Sequence, residues 1–256
     1  MKKFALMIIL LVAVLACVQA AQSRETLSLD ASGCKSMHID CGAGYLKVKG
    51  EDNLEQIEVK AILHVKGIAE SDLPSFKKEY VTLKLDKVGS KAVLTAEIES
   101  GFSLATLFGR HDVRIDLEIR LPRRLALDVE DGSGDMDIRS IGGDLQLDDG
   151  SGDIRLEGVD GTVEIDDGSG DMFLSGLKGK VRIDDGSGGI ELKNVGGDVS
   201  VEDGSGEIEI YDVKGSVEID DGSGDIIIDG VENDVTIEED GSGDVRIRNV
   251  KGKVRK

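Results

Sequence analysis

Seven copies of an acidic pentapeptide are the residues of this chain whose types and spacing could do chemistry. DGSGD starts at Asp131, Asp149, Asp167, Asp221 and Asp240, with DGSGG at Asp185 and DGSGE at Asp203. Oxygen-bearing side chains two residues apart, such as Asp131, Ser133 and Asp135, offer hard ligands, so the chemistry they open is the binding of a divalent cation. Catalysis is not indicated. No Ser stands in a G-x-S-x-G turn, and a residue present in seven equivalent copies reads as scaffold rather than nucleophile. His38, His64 and His111 are scattered without metal-ligand spacing and read as strand-face or surface residues. The turns are minimal, leaving no groove of the kind an enzyme needs. We therefore assign no catalytic, cofactor-binding or metal-ligating residue, and no enzyme is expected.

Two calcium patterns come close and then depart. Asp131-x-Ser133-x-Asp135 has the first spacings of an EF-hand loop, but the twelfth position is Gly142 instead of Glu. GSGDIRL resembles the glycine-aspartate β-roll repeat, yet it lacks the residue between Gly and Asp and occurs once per unit rather than twice. A calcium-binding, β-roll-like repeat protein stands as the alternative reading.

The pentapeptides must be positioned by what lies between them. From Asp131 to Asp221 they recur every 18 residues, and only the last step, to Asp240, takes 19. Each unit carries two short alternating runs. Leu145 and Leu147 flank Gln146, then Ile154 and Leu156 flank Arg155, which is the period of a half-buried strand. Helix is excluded by that period and by the density of glycine. Between the runs stand two turn signals, DGSG and a weaker V-x-G such as Val159-Asp160-Gly161.

One unit holds about five apolar side chains and cannot fold alone, whereas stacked units share a continuous core. The fold class is therefore all-β, a β-solenoid with 18-residue coils and two short strands per coil. An antiparallel meander with DGSG hairpins is the competing arrangement. In the solenoid, the Asp of DGSG accepts a backbone hydrogen bond two residues on, and its glycines take positive φ. The serine is placed to hydrogen-bond its copies above and below. Stacked aspartates about 4.8 Å apart repel by about 1 kcal/mol per pair in water, a repulsion either tolerated or relieved by a cation. The extra residue in VTIEEDGSG, at Glu238-Glu239, reads as a bulge, and the basic last coil (Arg246, Arg248, Lys251, Lys253, Arg255, Lys256) as a guard on the open edge.

Upstream, MHIDCGAGYLKVKG (37–50) matches LQLDDGSGDIRLEG (145–158), so the repeat begins early in degenerate form. Strand-like runs follow (IEVKAILHV, VTLKLDKV, AVLTAEIE, VRIDLEIRL), with one short helix signalled by Ser71 or Asp72 as cap and Pro74 in the first turn. These suggest three segments: 1–20 a signal peptide, 21–130 a degenerate N-terminal β region and cap, and 131–256 the regular repeat with its basic end.

The signal rests on Lys2 and Lys3, the apolar run Phe4–Ala16 and small residues after it. Two processing routes stay open. Val18-Gln19-Ala20 suits cleavage before Ala21, whereas Leu15-Ala16-Cys17 suits lipidation at Cys17. Either route implies export to the periplasm, cell envelope or exterior. Disulfides persist there, so Cys34 and Cys41 either pair or are two small buried residues. If the intervening KSMHID is one extended strand, they lie near about 20 Å apart, too far for a bond.

At RIDLEIRLPRRLALDVEDGSGDMDI (114–138) the sequence resembles a bacterial adhesin-like family built on a β-strand-repeat domain of unknown function. The resemblance covers about residues 34–256. It implies an exported β-helical protein, often on a lipid or membrane anchor, and supplies no catalytic residues.

Charge narrows the partners. Residues 131–256 hold 33 of the 51 acids and 13 of the 31 bases, so the whole net charge of −20 lies on the repeats. Nucleic acid and anionic membranes are repelled, leaving lipidation at Cys17 as the route to a membrane. Aromatics are 3% with no Trp, which disfavours sugar stacking. The expected function is a non-enzymatic exported envelope or surface protein, an adhesin-like binding module or a spacer, whose partner is an unknown envelope or surface component of cationic character.

Overall fold

The computed structural model describes residues 20–99 and 113–256; residues 1–19 of the segment read as a signal peptide, with Cys17, and His111 lie outside the described residues. Two sheets of 11 strands each face one another across a single core. The first sheet holds the strands that lead into the DGSG corner, such as Leu145–Asp149, Val163–Asp167 and Val181–Asp185. The second holds those that leave it, such as Ile154–Val159, Met172–Leu177 and Ile190–Val195.

Equivalent residues stack in parallel register: Val163 pairs with Leu145 and Val181, and Met172 with Ile154 and Ile190. Seven regular coils run from Ala126 to Val250, which confirms the solenoid and excludes the meander. The alternation explains why the stack holds. Val163, Ile165, Met172, Leu174 and Leu177 of one coil are each no more than 2% exposed, and burying such a side chain contributes about 1.5–3 kcal/mol. The inserted residue is Glu238: Ile219 pairs with Ile237 but Asp220 with Glu239.

Residues 36–51 form a further coil. Ser36–Ala43 lies parallel to Ala126–Ser133, and Leu46–Glu51 to Met136–Ile141, so CGAG stacks on the first DGSG. The intervening chain builds outward from that coil. Gln56–Val65 runs antiparallel to Val113–Pro122, with Ala21–Asp30 antiparallel beyond it, while Lys91–Ile98 and Val81–Val88 extend the first sheet. The helix Leu73–Tyr80 buries Leu73 and Phe76 against this end. Asp72 is its N-cap residue but makes no side-chain cap bond; a 3₁₀ turn, Glu70–Asp72, leads in instead. Among the described residues no helix is long and apolar enough to cross a membrane.

At the far end, the bases of the last coil bind acids one coil back: Lys251 to Glu232 at 3.1 Å, Lys256 to Asp240 at 2.7 Å, Arg255 to Asp234 at 3.9 Å.

Candidate functional site

The parallel register turns one repeated dipeptide into two files of carboxylates with opposite surroundings. The first member faces out. Asp40, Glu130, Asp148, Asp166, Asp184, Glu202, Asp220 and Glu239 pair successively across the first sheet, so eight acids form one line. All but Asp40 are exposed. Rungs lie about 4.8 Å apart, closer than a Debye length, so the file acts as one field. Among the described residues Glu202 alone of the file meets a base, Arg182 at 2.8 Å. At the N-terminal end Glu97 adds to it, its carboxyl pushed up by neighbouring Asp40.

The second member faces in. Asp131, Asp149, Asp167, Asp185, Asp203 and Asp221 are buried, between 1% and 7% exposed. Each closes its corner through one carboxylate oxygen: Ser169 N–H donates to Asp167 Oδ1 at 3.1 Å, and Ser187, Ser205 and Ser223 repeat the bond to Asp185, Asp203 and Asp221. The other oxygen, Oδ2, has no hydrogen-bond partner in any of the six, although the Asp131 carboxyl also has the Cys41 thiol beside it as a weak donor. Burial therefore pushes these carboxyls up, to about 7 at Asp149 and Asp167 and about 6 at Asp131 and Asp203. Cys41 occupies the place above Asp131. Burial, then Asp131, pushes its thiol up.

The serines join their neighbours through the backbone: Gly152 N–H donates to Ser169 O at 3.0 Å and Gly170 N–H to Ser187 O at 3.1 Å. Glycine is forced at the fourth position. Gly170 has φ +147°, and a Cβ there would lie 1.9 Å from Gly152 O.

A third line of acids follows the corner, where Asp153 and Asp171 accept the next coil's backbone N–H at 3.1 and 2.9 Å. The corner therefore gathers acids on three lines. The opposite corner differs. Contrary to the expectation of no groove, an open groove of about 880 Å³ runs along it, lined by Gly176, Asn194, Asp212 and Gly230, whose left-handed backbones indent the chain. Its charges largely compensate each other, Lys178 binding Asp160 at 2.9 Å and Lys251 binding Glu232.

The remaining chemical residues are held by neighbours. Cys34 and Cys41 are free, so the open question of a bridge resolves to two thiols. His38 Nδ1 lies 2.9 Å from Asp128 and His64 Nε2 lies 2.8 Å from Asp116, the strand-face roles their spacing implied. His38, Asp128 and Glu130 present ligand atoms within 4.8 Å of one another, but Lys91 Nζ already sits 2.8 Å from the shared Asp128 oxygen.

A sequence match to the Toastrack DUF4097 family spans residues 20–255. The chain belongs to that family. The match is in keeping with the resemblance carried by residues 114–138 to a β-strand-repeat family of unknown function. Among curated proteins, none matches the chain. Similar solved structures include a candidate lipid binding protein from Parabacteroides distasonis, 15% identical over 91% of this chain and 96% of that one, with a TM-score of 0.49. A candidate adhesin from Bacteroides fragilis is 13% identical over 91% and 96%, with a TM-score of 0.42. A candidate cell adhesion protein from Clostridium sporogenes is 13% identical over 91% and 98%, with a TM-score of 0.31.

The repeat implied the stacking of the inner aspartates and their hydrogen bond two residues on, both of which the structure shows; what it did not disclose is their burial. Its signal was present: Leu145-x-Leu147-x-Asp149 places the aspartate in phase with the two buried leucines.

Proposed function

We propose that this chain is a non-enzymatic, exported envelope or surface module that binds cationic partners along the outer acidic file of its first sheet. The observation that carries the reading is the register: eight acids aligned on one flat sheet face, seven of them exposed and one of them paired with a base. Such a line concentrates field along one direction and favours fast, salt-sensitive encounter with a multivalent cation over tight apolar docking. Family membership supports a surface-binding role, and the signal-like residues 1–20 support export with either Ala21 or lipidated Cys17 at the mature terminus.

Binding of the purified protein to envelope fractions and to polylysine, measured across ionic strength, tests the reading. Retention that weakens steadily with salt is expected, and absence of binding at every ionic strength leaves only a spacer. The calcium-dependent β-roll is tested by melting with chelator and with calcium chloride: loss of β-structure in chelator would establish metal as part of the fold.

A further inference from the structure

The inner file poses a problem that the outer face does not. Six carboxyls lie one above another about 4.8 Å apart, each with an oxygen that has essentially no exposed surface and no donor. A buried carboxylate without a partner is far less stable than a buried neutral acid, whose unmet O–H costs about 1–3 kcal/mol. Something must neutralise the file.

The groups facing the six offer no base; the nearest, Lys256, sits on Asp240, one coil beyond Asp221. Asp131 faces the Cys41 thiol; Asp149 faces Asp131 and Asp148; Asp167 faces Asp149 and Asp185. Asp185 faces Asp184 and Asp171; Asp203 faces Asp185 and Asp221; Asp221 faces Asp240 and Asp220. A metal is poorly served as well. Calcium takes about six to eight oxygens, whereas each interval between coils supplies two free carboxylate oxygens sealed from solvent. A proton needs neither room nor a coordination shell.

We propose that the inner aspartates bind protons and stand as neutral carboxylic acids in the folded rod, so that the coil stack is an acid-stabilised device that loosens as the file ionises. Each group takes one proton from solvent and returns it on ionisation. The sign follows from linkage. The folded-state affinities are raised above that of an unfolded aspartate at 3.8, so the stabilisation is complete below about pH 4. It is lost as pH rises through about 6 to 7. Neighbouring charges make each successive ionisation harder, which spreads the loss across that window. This inference does not depend on what the outer face binds.

The test is thermal unfolding of the full chain between pH 5 and pH 8, in enough salt to screen the outer charges. The partner variant is D149N/D167N/D203N, in which the amide oxygen can still accept the serine N–H. The wild-type midpoint should fall by about 5 °C or more from pH 5 to pH 8, and the variant, in which Asp131, Asp185 and Asp221 remain, should lose about half of that fall and melt higher at pH 8. The outer variant D148N/D166N/E202Q should keep the wild-type fall. A wild type without that fall, or an inner variant that retains all of it, overturns the proposal. Calcium chloride that restores the pH 8 midpoint in wild type but not in the inner variant also overturns it, by assigning the file to a metal. Should the inner variant not fold, the infrared band of protonated carboxyl in native wild type at pH 6, where exposed carboxyls are almost wholly ionised, decides: a band that exchanges slowly in heavy water supports the proposal and its absence refutes it.

Discussion

The two corners of each coil solve the same steric problem under different constraints. At the second corner one residue per coil adopts the left-handed backbone, and the column reads Ser140, Gly158, Gly176, Asn194, Asp212, Gly230, Asn249. Asn, Asp and Ser are tolerated because the neighbouring coil is distant at this one position, where a Cβ on Gly176 would meet nothing nearer than 3.7 Å. Three residues on, a Cβ at Gly161, Gly179, Gly197 or Gly215 would lie 2.2–2.5 Å from a carbonyl oxygen of the preceding coil. At the DGSG corner the equivalent column is Gly134, Gly152, Gly170, Gly188, Gly206, Gly224, Gly243, without exception. There the coils touch through backbone, and a Cβ would meet a carbonyl oxygen at between 1.5 and 2.2 Å in every coil. Repetition in this sequence thus records where backbones meet, and the same tight corner encloses the inner aspartate.

The comparison can be broken at several strengths. The largest effect belongs to the core that both corners share. Ile154→Asp should destabilise the rod by about 3–5 kcal/mol, and Arg155→Asp, one residue along and facing solvent, by less than about 0.5. Equal melting temperatures would refute the assignment of faces. Next comes Gly170→Ala, expected to lower stability by about 3 kcal/mol because the coil above must shift. A mild effect there, measured by denaturant titration, would mean the corner is looser than its contacts require. Gly176→Ala should lower stability by about 1 kcal/mol, the strain of a left-handed alanine. Gly176→Asn should be close to neutral, and a larger penalty than at Gly170 would reverse the ranking of the corners.

Much of this was legible in the sequence because a solenoid maps period directly onto space. The 18-residue step gave the coil length, V-x-I and I-x-L gave the buried faces, and the extra residue at Glu238 marked the bulge. Matching MHIDCGAG to LQLDDGSG identified the early coil, but not that its strands touch residues 126–141 across a long excursion, since nothing local encodes which strands meet. The strand Ala21–Asp30 escaped notice because it is an outer strand whose inward positions include Ser23 and Glu25, so its apolar alternation is weak. The inner aspartates were legible as a stacked column of turn residues but not as buried ones. A charged residue at the end of an apolar alternation reads as the start of a turn, although the pleat had already aimed it inward.

The distinction between outer and inner acids also gives the most direct test of the proposed function. Affinity of the full chain for polylysine at low salt should be measured for wild type, for the outer variant D148N/D166N/D184N/D220N, and for the inner variant D149N/D167N/D203N. The outer file as binding face predicts about a tenfold or greater loss for the outer variant and unchanged binding for the inner one. Equal affinities for the outer variant and wild type would contradict it.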